Sequence, residues 1–401
     1  MSWPTKSLAE VADFQLGKML DQVKNRGDNH PYLANKNVRW GSFDFSELRE
    51  MRFEESEFER FSLKDGDIVM CEGGEPGRCA LWRDEMPNMM FQKALHRIRP
   101  FENMDSVFLY YNLSYRAHSG HFRGLFTGAT IKHLPREKLA LVQVDVPDLP
   151  TQKRIASILS AYDDLIENNR RRIVLLEQAA RLLYREWFVH LRFPGHETIK
   201  IIDGLPEGWE SIPASEAMQI NPRTTWKATE SKLITMVPMG ALSTAGMICD
   251  TSLFENREQP TSVKFMNGDT LFARITPCLE NGKTGYVNFL QDGEIACGST
   301  EFVVFREHRI SRFMAYLLAR EEDFRKNAIT SMVGSSGRQR VQQNCFEKYI
   351  VSAPPRKIVQ DFDAAIEPMF QEIGHLQKVI TKLTRARDLL LPRLMDGRIP
   401  V

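Results

Sequence analysis

The sequence of 401 residues has few cysteines and no long apolar run. Its six cysteines include no C-x-x-C pair and no neighbouring histidine pair at zinc-finger spacing, so neither a disulfide framework nor a metal site is expected. No run of about 18 apolar residues is present, and the first residues, MSWPTKSLAE, lack the charged-then-apolar order of a signal peptide. We therefore expect a cytoplasmic protein that does not enter a membrane.

Catalytic motifs are also missing. An adenine methyltransferase needs an [ND]-P-P-[YF] motif, and the nearest sequences, N-P-R-T at 221–224 and A-P-P-R at 353–356, do not match it. The segment P-C-L-E-N-G-K-T at 277–284 ends like a phosphate-binding loop but lacks its first glycine. The sequence contains neither H-E-x-x-H nor G-x-S-x-G. It therefore predicts a chain that is not an enzyme, has no catalytic residues and binds no cofactor of its own.

Charge of one sign is not in excess either. Lys and Arg number 53 and Asp and Glu 52, which gives a net charge of +1. Any DNA-binding face would have to be a local concentration of basic side chains. The composition, 42% hydrophobic and 26% charged, is that of an ordinary globular protein, and the length allows two domains or more.

What the sequence does contain is two long heptad patterns, which predict two long paired helices. The first consists of Ile155, Leu159, Tyr162, Ile166, Asn169, Ile173, Leu176, Ala180, Leu183 and Trp187. The second consists of Phe362, Ile366, Met369, Ile373, Leu376, Ile380, Leu383, Arg387, Leu390 and Leu394. Pro368 should kink or delay the second helix. The polar members Asn169 and Arg387 either fix the register of the pair or are simply tolerated there.

The sequence also repeats itself once. Four landmarks recur in the same order at a spacing of 202 to 206 residues. They are the segment 3–10 and its copy 209–216, 64–69 and 266–271, 128–130 and 334–336, and the helix starts near Pro150 and Pro355. Such order and spacing are the signature of an internal duplication.

The repeat predicts a mixed α/β (α+β) fold. It comprises two tandem globular domains, at 1–150 and 209–354, and two long antiparallel coiled-coil helices, at 151–193 and 355–401. A Pro- and Gly-rich linker follows the first helix at 194–208. Antiparallel helices would relate the two domains by a pseudo-two-fold axis. Because duplex DNA has a two-fold relation between its strands, duplicated domains of this kind suit two half-sites.

The sequence resembles the specificity subunits of type I restriction–modification systems. The residues that carry the resemblance are L-P-T-Q-K-R-I at 149–155, N-N-R-R-R-I at 168–173, R-L-L-Y-R-E-W-F at 181–188, L-P-E-G-W at 205–209 and L-P-R-L-M-D-G-R-I at 391–399. The resemblance implies two target-recognition domains that each read half of a bipartite double-stranded DNA site, with the helices as a spacer. It also implies two methyltransferase subunits as partners, and restriction–translocase subunits that can join them. S-adenosylmethionine, ATP and magnesium would then belong to the partners.

Side chains that read DNA are Arg and Lys for guanine and phosphate, and Asn and Gln for adenine. In the first domain the candidates are Lys36, Asn37, Arg78, Lys93, His96, Arg123, Lys132 and His133. In the second domain they are Arg274, Asn281, Lys283, Ser336, Arg338, Gln339 and Arg340. The loop 335–340 is the strongest candidate, because small residues let its backbone approach a phosphate and because segment 127–133 repeats its small-then-basic order. The alternative is that these are solvated loop residues beside tight turns.

Two other functions stay open from the sequence. One is a scaffold or adaptor whose domains bind protein instead of DNA. The other is a fused DNA methyltransferase, against which the missing motifs argue.

Overall fold

The computed structural model describes residues 3–21, 25–226, 233–260, 263–335 and 337–401. The chain divides into two compact units. The first unit combines Met1–Ile166 with Lys382–Val401, and the second unit is the continuous stretch Glu167–Thr381. The end of the chain therefore folds with its beginning, which the boundaries drawn from the sequence did not anticipate.

The first unit contains nine short strands among its described residues. They are β1 (Thr5–Ser7), β2 (Ala12–Leu16), β3 (Asp28–Leu33), β4 (Arg49–Phe53), β5 (Ile68–Cys71), β6 (Cys79–Leu81), β7 (Met90–Phe91), β8 (Leu95–Pro100) and β9 (Gln143–Asp145). Its short helices are α1 (Leu8–Val11), α2 (Phe58–Phe61), α3 (Ser106–His118) and α4 (Arg136–Leu139). The long helix α5 (Leu149–Tyr184) begins in this unit.

The main sheet of the first unit has the strand order β2-β8-β5-β6 and is antiparallel throughout. A second sheet has the order β4-β3-β7, with β3 and β7 parallel, and β1 pairs with β9. Strand β5 is apolar at every position because both of its faces are covered. Ile68 and Met70 belong to one buried cluster, and Val69 and Cys71 belong to another.

The described residues of the second unit add twelve strands. They are β10 (Ile201–Ile202), β11 (Leu205–Pro206), β12 (Glu210–Pro213), β13 (Met218–Ile220), β14 (Ile234–Val237), β15 (Glu255–Arg257), β16 (Lys264–Met266), β17 (Thr270–Ala273), β18 (Thr284–Tyr286), β19 (Ile295–Gly298), β20 (Phe302–Glu307) and β21 (Ile350–Ala353). Its helices are α6 (Ala214–Ala217), α7 (Arg312–Arg320), α8 (Glu322–Thr330), α9 (Cys345–Lys348) and the first part of the long helix α10 (Arg356–Met395).

The main sheet of the second unit has the same strand order as that of the first, and its second sheet has one strand more. Its main sheet runs β13-β20-β17-β18, and its second sheet runs β15-β14-β19-β16, with β14 and β19 parallel. Strands β12 and β21 pair as β1 and β9 do. Strand β17 is again covered on both faces, by the clusters that contain Leu271 and Phe272. The internal repeat and the mixed α/β class predicted from the sequence are confirmed.

The two long helices pair antiparallel in each unit. In the second unit Arg172 contacts Glu372 and Trp187 packs on Phe362. The residue numbers therefore increase along α5 as they decrease along α10. In the first unit Ile155, Leu159 and Leu394 share one buried cluster. The heptad positions Ile166, Ile173, Ile366, Ile373 and Leu376 are buried. Tyr162, Leu176, Leu183, Ile380, Leu383 and Leu390 are partly buried.

The polar members of the heptads differ in their surroundings. Asn169 is buried and accepts a long hydrogen bond from Arg172 at 3.5 Å. Arg387 is half-buried and forms ion pairs with Asp163 at 2.5 Å and Asp388 at 2.8 Å. The Arg387–Asp163 ion pair joins α10 to α5 and therefore favours one register, whereas the Asn169 bond stays within α5.

Two expectations about the helices need correction. Helix α10 starts at Arg356 and runs without interruption through Pro368, so Pro368 does not delay the helix. Pro368 and Ala364, whose carbonyl loses its helical partner, are both exposed, so water can bind the carbonyl and no helical end is needed. Helix α5 ends earlier than residue 193, because a π-helical turn, Arg185–Val189, follows Tyr184.

Candidate nucleic-acid interface

Three loops of the first unit meet at one edge, and we call them the first loop cluster (35–37, 72–78 and 127–133). Gly73 forms an isolated β-bridge with His133. The imidazole Nδ1 of His133 lies 3.0 Å from the Glu72 carboxylate. Arg78 donates from Nη2 to the Asn35 carbonyl at 2.8 Å, which joins the third loop.

The second unit builds the same arrangement, the second loop cluster (239–241, 274–283 and 333–340). Ile275 forms an isolated bridge with Arg340, and the Gln339 backbone N–H donates to the Thr276 hydroxyl at 3.1 Å. Lys283 donates from Nζ to the Met239 carbonyl at 3.0 Å. The two clusters therefore occupy equivalent places in the two copies of the fold.

Arg78 and Lys283 do the same structural task with different chemistry. Each immediately precedes the edge strand of its main sheet, β6 or β18. Each donates to the carbonyl of the first residue of a short 3₁₀ turn, at Asn35 or Met239. Arg78 also pairs with Glu75 at 2.6 Å. These two candidates hold the loops together, which limits what they can offer to a ligand.

The hairpin loops of both clusters are closed in the same way. Thr127 and His133 exchange backbone hydrogen bonds of 2.9 Å, and Val333 and Arg340 exchange bonds of 3.1 and 2.9 Å. Gly128 has φ +91°, and a Cβ there would lie 2.1 Å from the Ile131 carbonyl, so only glycine fits this turn.

Comparison with known proteins identifies this architecture. A family model described as type I restriction modification DNA specificity domain matches residues 2–178. The specificity subunit of the type I restriction enzyme MjaIX from Methanocaldococcus jannaschii is 22% identical over 417 residues, which cover 100% of this chain and 94% of the relative. The EcoAI specificity subunit from Escherichia coli is 33% identical over 157 residues, 38% of this chain and 26% of the relative. Residues 2–178 thus match the DNA specificity domain of type I restriction–modification systems, and the whole chain is similar to a specificity subunit of such a system.

A solved structure shares the fold of this chain. It is the S subunit of a type I restriction–modification system from M. genitalium, which aligns over 98% of this chain and 96% of its own. The TM-score is 0.58 at 15% sequence identity. The duplicated layout therefore survives extensive divergence of the sequence.

Several of the predicted DNA contacts lie at the surface. Lys93, Arg123, Lys132, Asn281 and Arg338 are exposed, and Gln339 is half-buried. His133 is half-exposed beside Glu72. Ser336 lies outside the described residues.

Other candidates already have partners within their own unit. Lys36 pairs with Glu47 at 2.7 Å, and Arg340 pairs with Glu301 at 2.7 Å. Arg274 is half-buried, and its side chain donates a long bond of 3.5 Å to the Val341 carbonyl. Ion pairs at an exposed surface exchange readily, so Lys36 and Arg340 stay available to an anionic ligand at modest cost.

The prediction that Asn37 and His96 contact DNA needs correction, because both side chains are buried in the first unit. The Asn37 side chain accepts the Ala34 N–H at 2.9 Å and donates to the Asp44 carbonyl at 2.9 Å, so it stabilises its own loop. His96 lies 2.8 Å from the Leu134 carbonyl through Nε2, and burial lowers the pKa of its imidazole. Neither side chain reaches the surface.

Three features of the site were not found from the sequence. Trp40 donates from its indole N–H to Glu75 at 2.9 Å and packs on His118 with 3.8 Å between ring centroids, beside the first loop cluster. The buried carboxylates of Asp67 and Asp269 form equivalent bidentate ion pairs, with Arg99 and Arg306 respectively. The repeated Gly-Asp dipeptides at 66–67 and 268–269 carried a signal for these aspartates, whereas nothing local marked Trp40.

The described ranges contain no group of three or more His, Cys, Asp or Glu side chains placed to hold a metal ion. In the same ranges no helix combines the length and the apolar character needed to cross a membrane.

Proposed function

We propose that this chain recognises a bipartite double-stranded DNA site, with each loop cluster reading one half. The observation that carries the proposal is the repetition of one loop cluster in two units, held by equivalent contacts but exposing different side chains. Lys132 and Arg123 are exposed in or near the first cluster, and Arg338 and Asn281 in the second. Because Asn pairs with adenine and Arg with guanine, clusters that differ in this way favour two different half-sites.

The long helices α5 and α10 belong to both units, and we propose that they set the spacer between the half-sites. The chain itself would then be non-catalytic. Methyl transfer, with S-adenosylmethionine, and any cleavage that needs ATP and magnesium would belong to partner subunits.

Exposed leucines on the two helices support docking of methyltransferase subunits. Leu183 and Leu390 are the second-to-last members of the two heptad patterns. Leu182 directly precedes Leu183 and Leu389 directly precedes Leu390, so Leu182 and Leu389 occupy equivalent heptad positions. Their side chains are 62% and 56% exposed. Val174 and Leu175 extend the apolar surface on α5. Apolar helical surface of this kind is what a partner helix buries, and its duplication fits two copies of one partner.

The function is tested by sequencing the methylated sites in cells that express this chain with its cognate methyltransferase subunit. We expect a motif of two short blocks around a fixed gap. If the complex assembles and methylates nothing, the DNA-recognition proposal is refuted and a protein-binding scaffold becomes the better account. Binding of the purified complex to a duplex should weaken steeply with salt, because phosphate contacts release counterions.

The docking surface is tested by stoichiometry. Leu182→Glu and Leu389→Glu should each reduce the number of bound methyltransferase subunits from two to one, measured by native mass spectrometry, and the double variant should bind none. Gln291→Glu, at an exposed loop position outside the long helices, is the control for added charge. Full stoichiometry in the double variant would refute this surface.

A further inference from the structure

A buried carboxylate of the second unit is left unexplained by the proposed recognition and docking. Glu177 lies in α5 and is only 5% exposed. Its Oε1 accepts the hydroxyl of Tyr316 at 2.6 Å, and its Oε2 accepts the backbone N–H of Met247 at 2.8 Å. One side chain thereby joins the long helix to α7 and to a connecting segment of the sheet.

The other long helix holds the same segment. Gln377 of α10 donates from Nε2 to the Cys249 carbonyl at 3.1 Å. Both hydrogen bonds end on the backbone of Met247–Cys249, one on an N–H and one on a carbonyl. We call the two side chains, Glu177 and Gln377, the helix clamp.

The clamped segment continues directly into the second loop cluster. The Tyr286 N–H donates to the Met247 carbonyl at 3.0 Å, and the Thr284 N–H donates to the Ser243 carbonyl at 3.3 Å, so segment 243–247 lies along β18. Lys283, next to Thr284, holds the 3₁₀ turn at Met239. Arg320 bridges the Gly282 and Thr244 carbonyls at 3.0 and 3.4 Å.

The carboxylate also approaches the backbone of Gly246 closely. A Cβ there would lie 3.0 Å from Glu177 Oε2, so the carboxylate would have to shift by a few tenths of an ångström. Burying a carboxylate is costly unless hydrogen bonds compensate it, and an apolar side chain would stabilise a helix contact more simply. Unlike an apolar side chain, the carboxylate fixes a backbone N–H in direction and distance.

We infer that Glu177 and Gln377 are positioning residues for the second half-site. They transmit the placement of the long helices to the loops of the second cluster, without touching DNA themselves. This inference rests on the proposed DNA recognition. It predicts that loosening the clamp relaxes discrimination at one half-site and leaves the other intact.

The test uses the complete complex with its methyltransferase subunits. Methylation rates are measured on duplexes that carry single base-pair changes in either block of the motif, and the second unit's block is assigned by exchanging residues 209–354 with those of another family member. Glu177→Ala should lower discrimination in that block by about tenfold, because an orphaned buried N–H lets the segment shift. Gln377→Ala should lower it less, since its hydrogen bond is longer and half-exposed.

Two matched variants separate positioning from plain destabilisation. Glu177→Gln should restore discrimination, because an amide can accept the Met247 N–H and donate to the Tyr316 oxygen. Gln178→Ala, exposed on the same helix, should behave as wild type. If Glu177→Ala destabilises the unit too far to assay, Gln377→Ala decides.

Equal relaxation at both blocks, or unchanged discrimination in the clamp variants, would overturn the inference. A wild-type complex that shows no bipartite motif would instead refute the proposed function, so the two failures are distinguishable.

Discussion

Removing one partner of a buried ion pair should destabilise one unit selectively. Asp269 is 1% exposed, and its oxygens accept Arg306 Nε and Nη2 at 2.7 and 2.6 Å and the Met266 N–H at 2.8 Å. Burial raises the pKa of Asp269 even beside the Arg306 guanidinium. Arg306→Met leaves this carboxylate without its counter-charge, for which a cost of about 3 kcal/mol is expected.

Hydrogen exchange resolves the effect by unit. A loss of about 3 kcal/mol should lower the protection of β17 amides by roughly a hundredfold while β5 amides stay protected. Arg99→Met is the matched control, because it breaks the equivalent pair with Asp67 and should affect β5 instead. Arg99 is 29% exposed against 17% for Arg306, so its loss should cost less.

A double variant tests the cause. Asp269→Asn together with Arg306→Met should recover part of the protection, because the amide still accepts the Met266 N–H but carries no charge. Unchanged protection in Arg306→Met, or an equal loss in both units, would refute the reasoning.

Three further predictions concern charge within the units. Burial raises the pKa of Asp363 from 3.8 to about 6, so the fold loses stability as pH rises through this range. Asp363→Asn should therefore raise Tm by a few degrees at pH 8 and little at pH 4, unlike exposed Asp361→Asn. Burial lowers the pKa of His96, so the fold loses stability as pH falls below about 6.5, and His96→Gln should flatten that loss in a Tm series from pH 8 to 5. Arg387→Met should lower the free energy of unfolding, measured with denaturant, by about 1–2 kcal/mol. The half-buried Asp163 then loses its ion pair with Arg387 and keeps its hydrogen bond from Tyr111.

The architecture followed from periodicity, which is a local property of the sequence. A heptad pattern states which side of a helix is buried before any partner is known, and two copies of a landmark state that a fold is duplicated. Pro368 misled because its effect depends on the exposure of one carbonyl, and exposure is set by the rest of the fold.

The site was less predictable, because residue type does not distinguish a ligand contact from a structural bond. Arg78 and Lys283 have the chemistry to bind phosphate, yet they hold backbone carbonyls of their own loops. The amide of Asn37 could pair with adenine, but its hydrogen bonds instead stabilise a 3₁₀ turn. Only the geometry of loops distant in sequence decides between such uses, whereas the repeated small-then-basic order correctly pointed to equivalent loops at 127–133 and 333–340.

The composition of the first unit has a consequence for synthesis on the ribosome. Its core includes Leu394 and Met395, which are translated after the whole of the second unit. At translation rates of about 5–20 residues per second, the chain's beginning must wait on the order of ten seconds or more for these residues. The second unit, continuous in sequence, can finish first. A nascent chain thus keeps an incomplete amino-terminal core until Leu394 and Met395 have been made, and chaperones that cover apolar surface would be expected to bind there.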